Sequence, residues 1–291
     1  MTNPLLEYIR LNDVYDISQY ENYYGKQDDN GYTALMLIMR KPYIDINVIK
    51  ILIKHEIKLC SNNGCTALMH YVMNHTHLDN KIITLLHKEL GMCDVNGYTA
   101  ALHAIQNKCD NIEVLSQEFN VRDNNGNTLL HKYLEYGNDE SIIKLLSSLT
   151  NVPNNYKVYP VMIYLKYNDI LPDDMFDIDV KDIYNNTPLH WYMRHRRNPI
   201  LSTVTKLFNT DINMCGESGL SLYMAKRSPK LSIVRMFNQL YNHKYYLGNT
   251  ALMIHVLNTI PNVDIVKELE SELYIKNDLG MTPNDVLHFA K

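Results

Sequence analysis

Three histidines, His70, His75 and His77, fall close together, and Cys60 and Cys65 precede them by a few residues. Imidazole and thiolate are the donors that zinc prefers, so metal binding is the first chemistry to weigh. The spacing matches no zinc module, and His70 falls on a helical pattern while Cys65 falls in a turn. Nucleophilic and phosphate chemistry fare no better. The chain has no Gly-rich phosphate loop, no His-Glu-x-x-His, no Gly-x-Ser-x-Gly and no Cys-x-x-Cys. His131 and His190 have no nucleophile within reach in sequence, which a histidine base requires. These observations predict no catalytic residue, no bound metal and no cofactor. Five cysteines at irregular spacing do not make a disulfide framework; they read as small buried or edge residues of a reducing compartment.

Recognition chemistry is better represented. Trp191 is the only tryptophan of the chain, and Arg194, Arg197, Lys166, Tyr167, Tyr136 and Lys132 are its candidate companions. Tryptophan, tyrosine and arginine dominate interface hot spots, because they bury large areas at modest entropy cost. From His190 to Lys244 the chain carries a net charge of +7, against −11 for the remainder. Such segregation steers partners. A sequence pI near 6.3 argues against nucleic acid. No apolar run approaches the ~18 residues that a membrane span requires, and residues 1–4 do not open a secretion signal. At 46% hydrophobic and 21% charged, the chain has enough apolar surface to fold.

A period runs under these residues. Asn30-Gly31-Tyr32-Thr33-Ala34-Leu35-Met36 returns as Asn63-Gly64-Cys65-Thr66-Ala67-Leu68-Met69, and then as Asn125-Gly126-Asn127-Thr128-Leu129-Leu130-His131. Counted from the Thr place, copies fall at Thr33, Thr66, Thr99, Thr128, Tyr159, Thr187, Ser221, Thr250 and Thr282, about 31 residues apart. In each, an Asx residue such as Asp28 or Asp94 suits a tight turn. The Thr reads as a helix N-cap, with Pro188 and Pro283 at the first helical position. A second apolar stripe follows, as in Val48-Ile49-Lys50-Ile51-Leu52 and Ile142-Ile143-Lys144-Leu145-Leu146, with the spacing of an amphipathic helix. The unit is turn, helix, loop, helix. Copies start near residues 26, 59, 92, 121, 152, 180, 214, 243 and 275, after a helical cap over 1–25 that includes Leu5, Leu6, Ile9, Leu11 and Val14. The fifth and eighth residues of each copy, counted from Thr, are predicted to line one groove. Lys132, Lys166, Trp191 and Arg194 are among them.

The pattern resembles the ankyrin repeat family, whose signature Thr187-Pro188-Leu189-His190 matches outright. The resemblance covers about nine tenths of the chain. It implies an all-α solenoid of about nine helix-turn-helix repeats, a single array over 1–291 with β-hairpin or turn fingers. It also implies that His131 and His190 bond across to neighbouring turns. Lys157, Tyr159 and Asn185 depart from the family pattern, so weaker turns and longer loops are expected mid-array. Tyr71, Tyr133, Tyr164 and Tyr192 stand where the family prefers Ala; they are expected to widen the stack or tip toward the groove. The His-x-Tyr-aliphatic form is similar to poxvirus ankyrin proteins of the host-range type, without an F-box-like tail. That likeness implies a non-catalytic, monomeric host-interaction factor in the host cytoplasm that binds and sequesters host proteins, with no membrane or nucleic-acid partner. An intracellular scaffold of an AT-rich protozoan and a substrate adaptor for a ubiquitin ligase are the alternatives.

Overall fold

The computed structural model describes residues 3–12, 16–209 and 211–289, so Val14 lies outside the described residues. All regular structure among them is helical; the only β-type pairings are single bridges, His77 with Asp110 and Ile212 with Ser218. The chain divides into two compact units, residues 1–133 and 134–291. Each is a stack of helical repeats.

Local chemistry explains why each copy begins where it does. Asp28 Oδ1 accepts the amides of Asn30 and Tyr32, and Asp94 Oδ1 those of Asn96 and Tyr98. These Asx turns end at a threonine in extended conformation whose hydroxyl accepts the amide three residues on: Thr33 from Met36, Thr66 from Met69, Thr187 from His190, Thr250 from Met253. Gly31 sits at φ 78°, and a Cβ there would meet the Asn62 amide nitrogen at 2.7 Å. The crowding arises because neighbouring fingers of the first unit bond to one another: Asn62 N donates to Asn30 O at 3.0 Å, and Val95 N to Asn63 O at 3.1 Å. The fingers are therefore turns linked tip to tip.

In the first unit the inner helices Ala34–Ile38, Ala67–Asn74, Ala100–Gln106 and Leu129–Tyr133 pack in succession, with Pro4–Leu11 against the first. Outer elements Ile46–Glu56 and Asn80–Leu85 lie behind them, followed by a 3-10 turn, Ile112–Glu118, in place of a third α-helix. Leu35, Met36, Leu68, Val72 and Ala101 are fully buried between layers; each such aliphatic side chain contributes about 1.5–3 kcal/mol where it is as large as Leu. In the second unit the inner row is Pro160–Tyr167, Pro188–His195, Gly219–Met224, Ala251–Asn258 and Pro283–Phe289, and the outer helices are Glu140–Leu145, Leu201–Leu207, Leu231–Met236 and Val263–Glu268. The fifth copy has no outer helix: residues 168–187 contain Pro172 and an acidic run instead of an apolar stripe.

Three expectations change. The fifth and sixth turns are intact, because Lys157 and Asn185 adopt the left-handed conformation (φ 52° and 61°) that glycine takes elsewhere. The Asn154 and Asp182 side chains hold those turns as in the other copies. Left-handed geometry at Lys157 costs about 1–2 kcal/mol, which the closed turn offsets. The seventh copy begins three residues earlier than its Thr-like place suggests. Ser218 is the N-cap, exchanging bonds with Ser221, and Gly216 rather than Gly219 makes the turn.

Nor do the tyrosines at the sixth place tip into the groove. They are buried, and in three copies the hydroxyl accepts from the loop that follows its own helix. Tyr71 accepts from the amide of Asp79, Tyr192 from Ile200 and, in the corrected register, Tyr223 from Lys230. Each of those residues is the N-cap of an outer element. His255 plays the same part for Asn262.

A buried carboxylate recurs where the family pattern offers no guidance. Glu56, Glu89, Glu118 and Glu272 are at most 1% exposed. One oxygen of each accepts an inner-helix amide (Leu35, Leu68, Ala101, Leu252) and the other accepts an amide from the preceding loop (Gly25, Lys58, Gly91, Asn242). Burial raises each carboxyl above its usual range, opposed by these donors and by the Thr cap. In the copies with histidine three residues past the cap, the ring does comparable work: His131 and His190 accept from their own Thr amide through Nδ1. His190 also reaches the next finger, Nε2 to Glu217 O at 3.1 Å.

Candidate functional site

The second unit brings several of the candidate recognition residues onto neighbouring inner helices. Trp191 is half-buried. Its indole N–H donates to Asp182 Oδ2 at 3.1 Å, and its ring stacks on His195 with centroids 5.2 Å apart and planes 20° from parallel. Asp182 is the anchor of the sixth finger, so the sequence that closes this turn also fixes the indole. Arg194 bonds Glu217 on the next finger. Lys166 holds its ammonium 5.0 Å from the Tyr167 ring centre, and Tyr167 is 45% exposed.

His195 reports how these groups converge. Partial burial lowers its pKa, opposed by its bond to Trp191 O, and the charges of Lys166, Arg194 and Lys226 push it down further. Lys226 itself donates to Arg194 O at 3.1 Å, and burial depresses its pKa. The aromatic pair thus stands in the field of Lys166, Arg194 and Lys226, of which Arg194 is paired with Glu217. Arg197 is exposed in the loop that follows the helix, and Tyr136 is 49% exposed. Lys132 belongs to the first unit, where its ammonium lies 3.7 Å from Asp123 Oδ2 and 5.6 Å from the Tyr98 ring centre.

The positive segment of the sequence is less free than its charge suggests. Arg196 makes a two-pronged bond to Asp169 at 2.7 Å, Lys206 pairs with Asp173, and Arg235 with Glu268. All three acids lie outside the segment, on adjacent copies, so stacking neutralises what linear counting separates. Among the described residues Arg197, Lys226, Arg227, Lys230 and Lys244 have no carboxylate at ion-pair distance.

The histidine cluster seen in sequence does not assemble. His75 bonds Met39 O, His77 bonds the Asp110 carboxylate, and Cys60 donates to Lys58 O. His70 is buried beside Tyr32, with Nε2 unpartnered. Cys65 instead meets Asp94 and His103. All five cysteines are free thiols. No helix among the described residues is long and apolar enough to cross a membrane. A separate open groove of about 1040 Å³, lined by Arg227, Pro229, Leu257, Ile260 and Pro261, had no signal in the sequence.

No protein-family model matches the chain, and no curated protein matches it. Among solved structures, the crystal structure of the ankyrin repeat domain of Bcl-3, titled a unique member of the IkappaB protein family, is similar at 15% identity and a TM-score of 0.47. The match covers 64% of this chain and 86% of that one. The helical-repeat fold rests on the recurring caps, turns and buried carboxylates and not on this likeness.

Proposed function

We propose that the chain is a non-catalytic, ankyrin-type protein-binding array. Its partner is engaged by the inner-helix surface around Trp191, Arg194, Lys166 and Tyr167, extended by Arg197 and Tyr136, and by Lys226, which sequence reasoning missed. The observation that carries the reading is the half-exposed Trp191–His195 stack on the helix that also bears Arg194, with Lys226 bonded to Arg194 O and Lys166 against Tyr167 on the neighbouring inner helix. Desolvated aromatic area next to cations suits an acidic protein segment: apolar contact supplies affinity, and charge supplies steering. Trp191 and Arg194 are already fixed by Asp182 and Glu217, so these two side chains lose little ordering entropy on binding.

A host-directed version of this role, with sequestration of host proteins in the cytoplasm, rests on the sequence likeness to poxvirus ankyrin proteins; a protozoan scaffold would differ only in its partner. Charge reversal tests the shared core. Lys166→Glu combined with Arg197→Glu should weaken a purified partner's Kd by about a hundredfold, with an unchanged melting temperature. Affinity within about threefold of the parent would remove this surface from the binding site.

A further inference from the structure

Three ligand-type side chains from two successive copies converge in the first unit. Cys65 Sγ, a carboxylate oxygen of Asp94 and a ring nitrogen of His103 all lie within 4.8 Å of one another. The repeat register produces the meeting. Cys65 precedes one Thr cap, Asp94 opens the next finger, and His103 stands four residues past the next cap. The same three places hold Tyr32, Ser61 and His70 one copy earlier, and Tyr98, Asp123 and Lys132 one copy later. Contacts recur there too: the Tyr32 ring lies 5.2 Å from that of His70, and Lys132 lies against both Tyr98 and Asp123. Side chains at these places thus meet at all three junctions, in a pair at the first and as three residues at the next two. At one of them the sequence supplies a thiol, a carboxylate and an imidazole.

We propose that Cys65, Asp94 and His103 form a binding site for a transition-metal ion of the zinc class, with a fourth position open to water or an incoming ligand. The carboxylate is pre-aimed. Asp94 Oδ1 is occupied by the amides of Asn96 and Tyr98 at 2.8 and 3.0 Å, which leaves Oδ2 facing His103 Nε2 at 3.1 Å. Two donors 3.1 Å apart, each at a zinc bond length of about 2.0–2.1 Å, subtend about 100° at the ion, close to tetrahedral. The side chains are also held: those of Asp94 and His103 are 5% and 11% exposed, and Cys65 is buried. A thiolate beside an imidazole selects zinc-class ions over magnesium or calcium. The bound ion would clip the finger of the second copy to the finger and inner helix of the third.

The test uses the full chain, reduced and stripped of metal, titrated with Co²⁺ and then Zn²⁺. The site predicts a thiolate-to-cobalt charge-transfer band that saturates at one equivalent, displacement by zinc, and a melting temperature raised by zinc. Informative substitutions borrow residues that the array already carries at the same places, so that the fold is retained: Cys65→Tyr, Asp94→Asn and His103→Lys. Even outer-shell changes weaken metal sites by about 10–100-fold, so each variant should lose about a hundredfold or more in cobalt affinity. Cys60→Ser and Cys93→Ser should lose none. Absence of the thiolate band, full affinity in His103→Lys, or loss in Cys93→Ser would overturn the proposal.

Discussion

Replacing Glu89 by Gln changes one atom in the interior of the first unit. The carboxylate receives Leu68 N at 2.7 Å and Lys58 N at 3.1 Å, and the residue is 1% exposed. A glutamine amide keeps one acceptor oxygen and presents an NH2 to the other backbone N–H. The shorter bond should keep the oxygen, which leaves Lys58 N facing a donor. One buried donor without an acceptor costs about 1–3 kcal/mol. Glu89→Ala strands both amides and opens a cavity, for about 3–6 kcal/mol. Urea unfolding at neutral pH measures both, and hydrogen exchange should show selective loss of protection at Lys58 in the Gln variant and at both amides in the Ala variant. Glu140→Gln provides the control, because Glu140 is exposed and its ion pair with Lys144 is a surface one, so its change should stay within about 0.5 kcal/mol. A Glu89→Gln protein as stable as the parent, or more so, would refute the reasoning. It would mean that burying the charge costs more than its two bonds return.

Other consequences are more quickly stated. Tyr192→Phe removes a hydroxyl that accepts Ile200 N at 3.0 Å and donates to Asp169 O at 3.1 Å; chemical denaturation should register a loss of about 1–3 kcal/mol with partner affinity unchanged. Trp191→Ala should abolish partner capture in a binding assay while costing about 1–2 kcal/mol of stability, because the Asp182 bond and the His195 stack are lost together. Burial, helped by the charges of Arg40 and His103, holds His70 at a pKa of about 4 against 6.5 unfolded. Between those values the unfolded chain carries the extra proton, so this stability is complete above pH 6.5 and falls by up to about 3 kcal/mol toward pH 4. Melting curves in the presence of a chelator should therefore show a shallower acid limb for His70→Phe.

What the sequence made legible was local. Thr33, Thr66, Thr187 and Thr250 cap helices as their spacing implies, and Asp28, Asp94 and Asp182 close the turns, because these bonds join residues two to four apart. The seventh copy shows how this reading slips. Ser218 and Ser221 are both plausible caps in sequence, and packing chooses the first: a Cβ on Gly219 would meet Leu189 Cδ2 at 2.8 Å. Longer-range bonds were not legible. Glu89 reaches Leu68 across 21 residues, and Arg196 reaches Asp169 across 27. A usable signal existed in part: Met36, Met69 and Met253 replace the histidine three residues past the cap, and each is followed some twenty residues on by Glu56, Glu89 or Glu272. At the candidate site, Trp191 and Arg194 were found from groove spacing. Lys226 was missed because it stands ninth from the Ser218 cap, outside the fifth and eighth places that the groove spacing samples, and the Cys65 junction was missed because its ligands come from two copies.

The most direct test of the protein-binding account is site-specific photocrosslinking. A photoreactive side chain placed at Tyr167, beside Lys166 on the inner-helix surface, should capture a defined protein partner. The same group at Tyr274, 74% exposed in the loop that follows the last outer element and outside the proposed surface, should not. Capture from Tyr274 alone, or from neither position while the chain still binds its partner, would contradict the account.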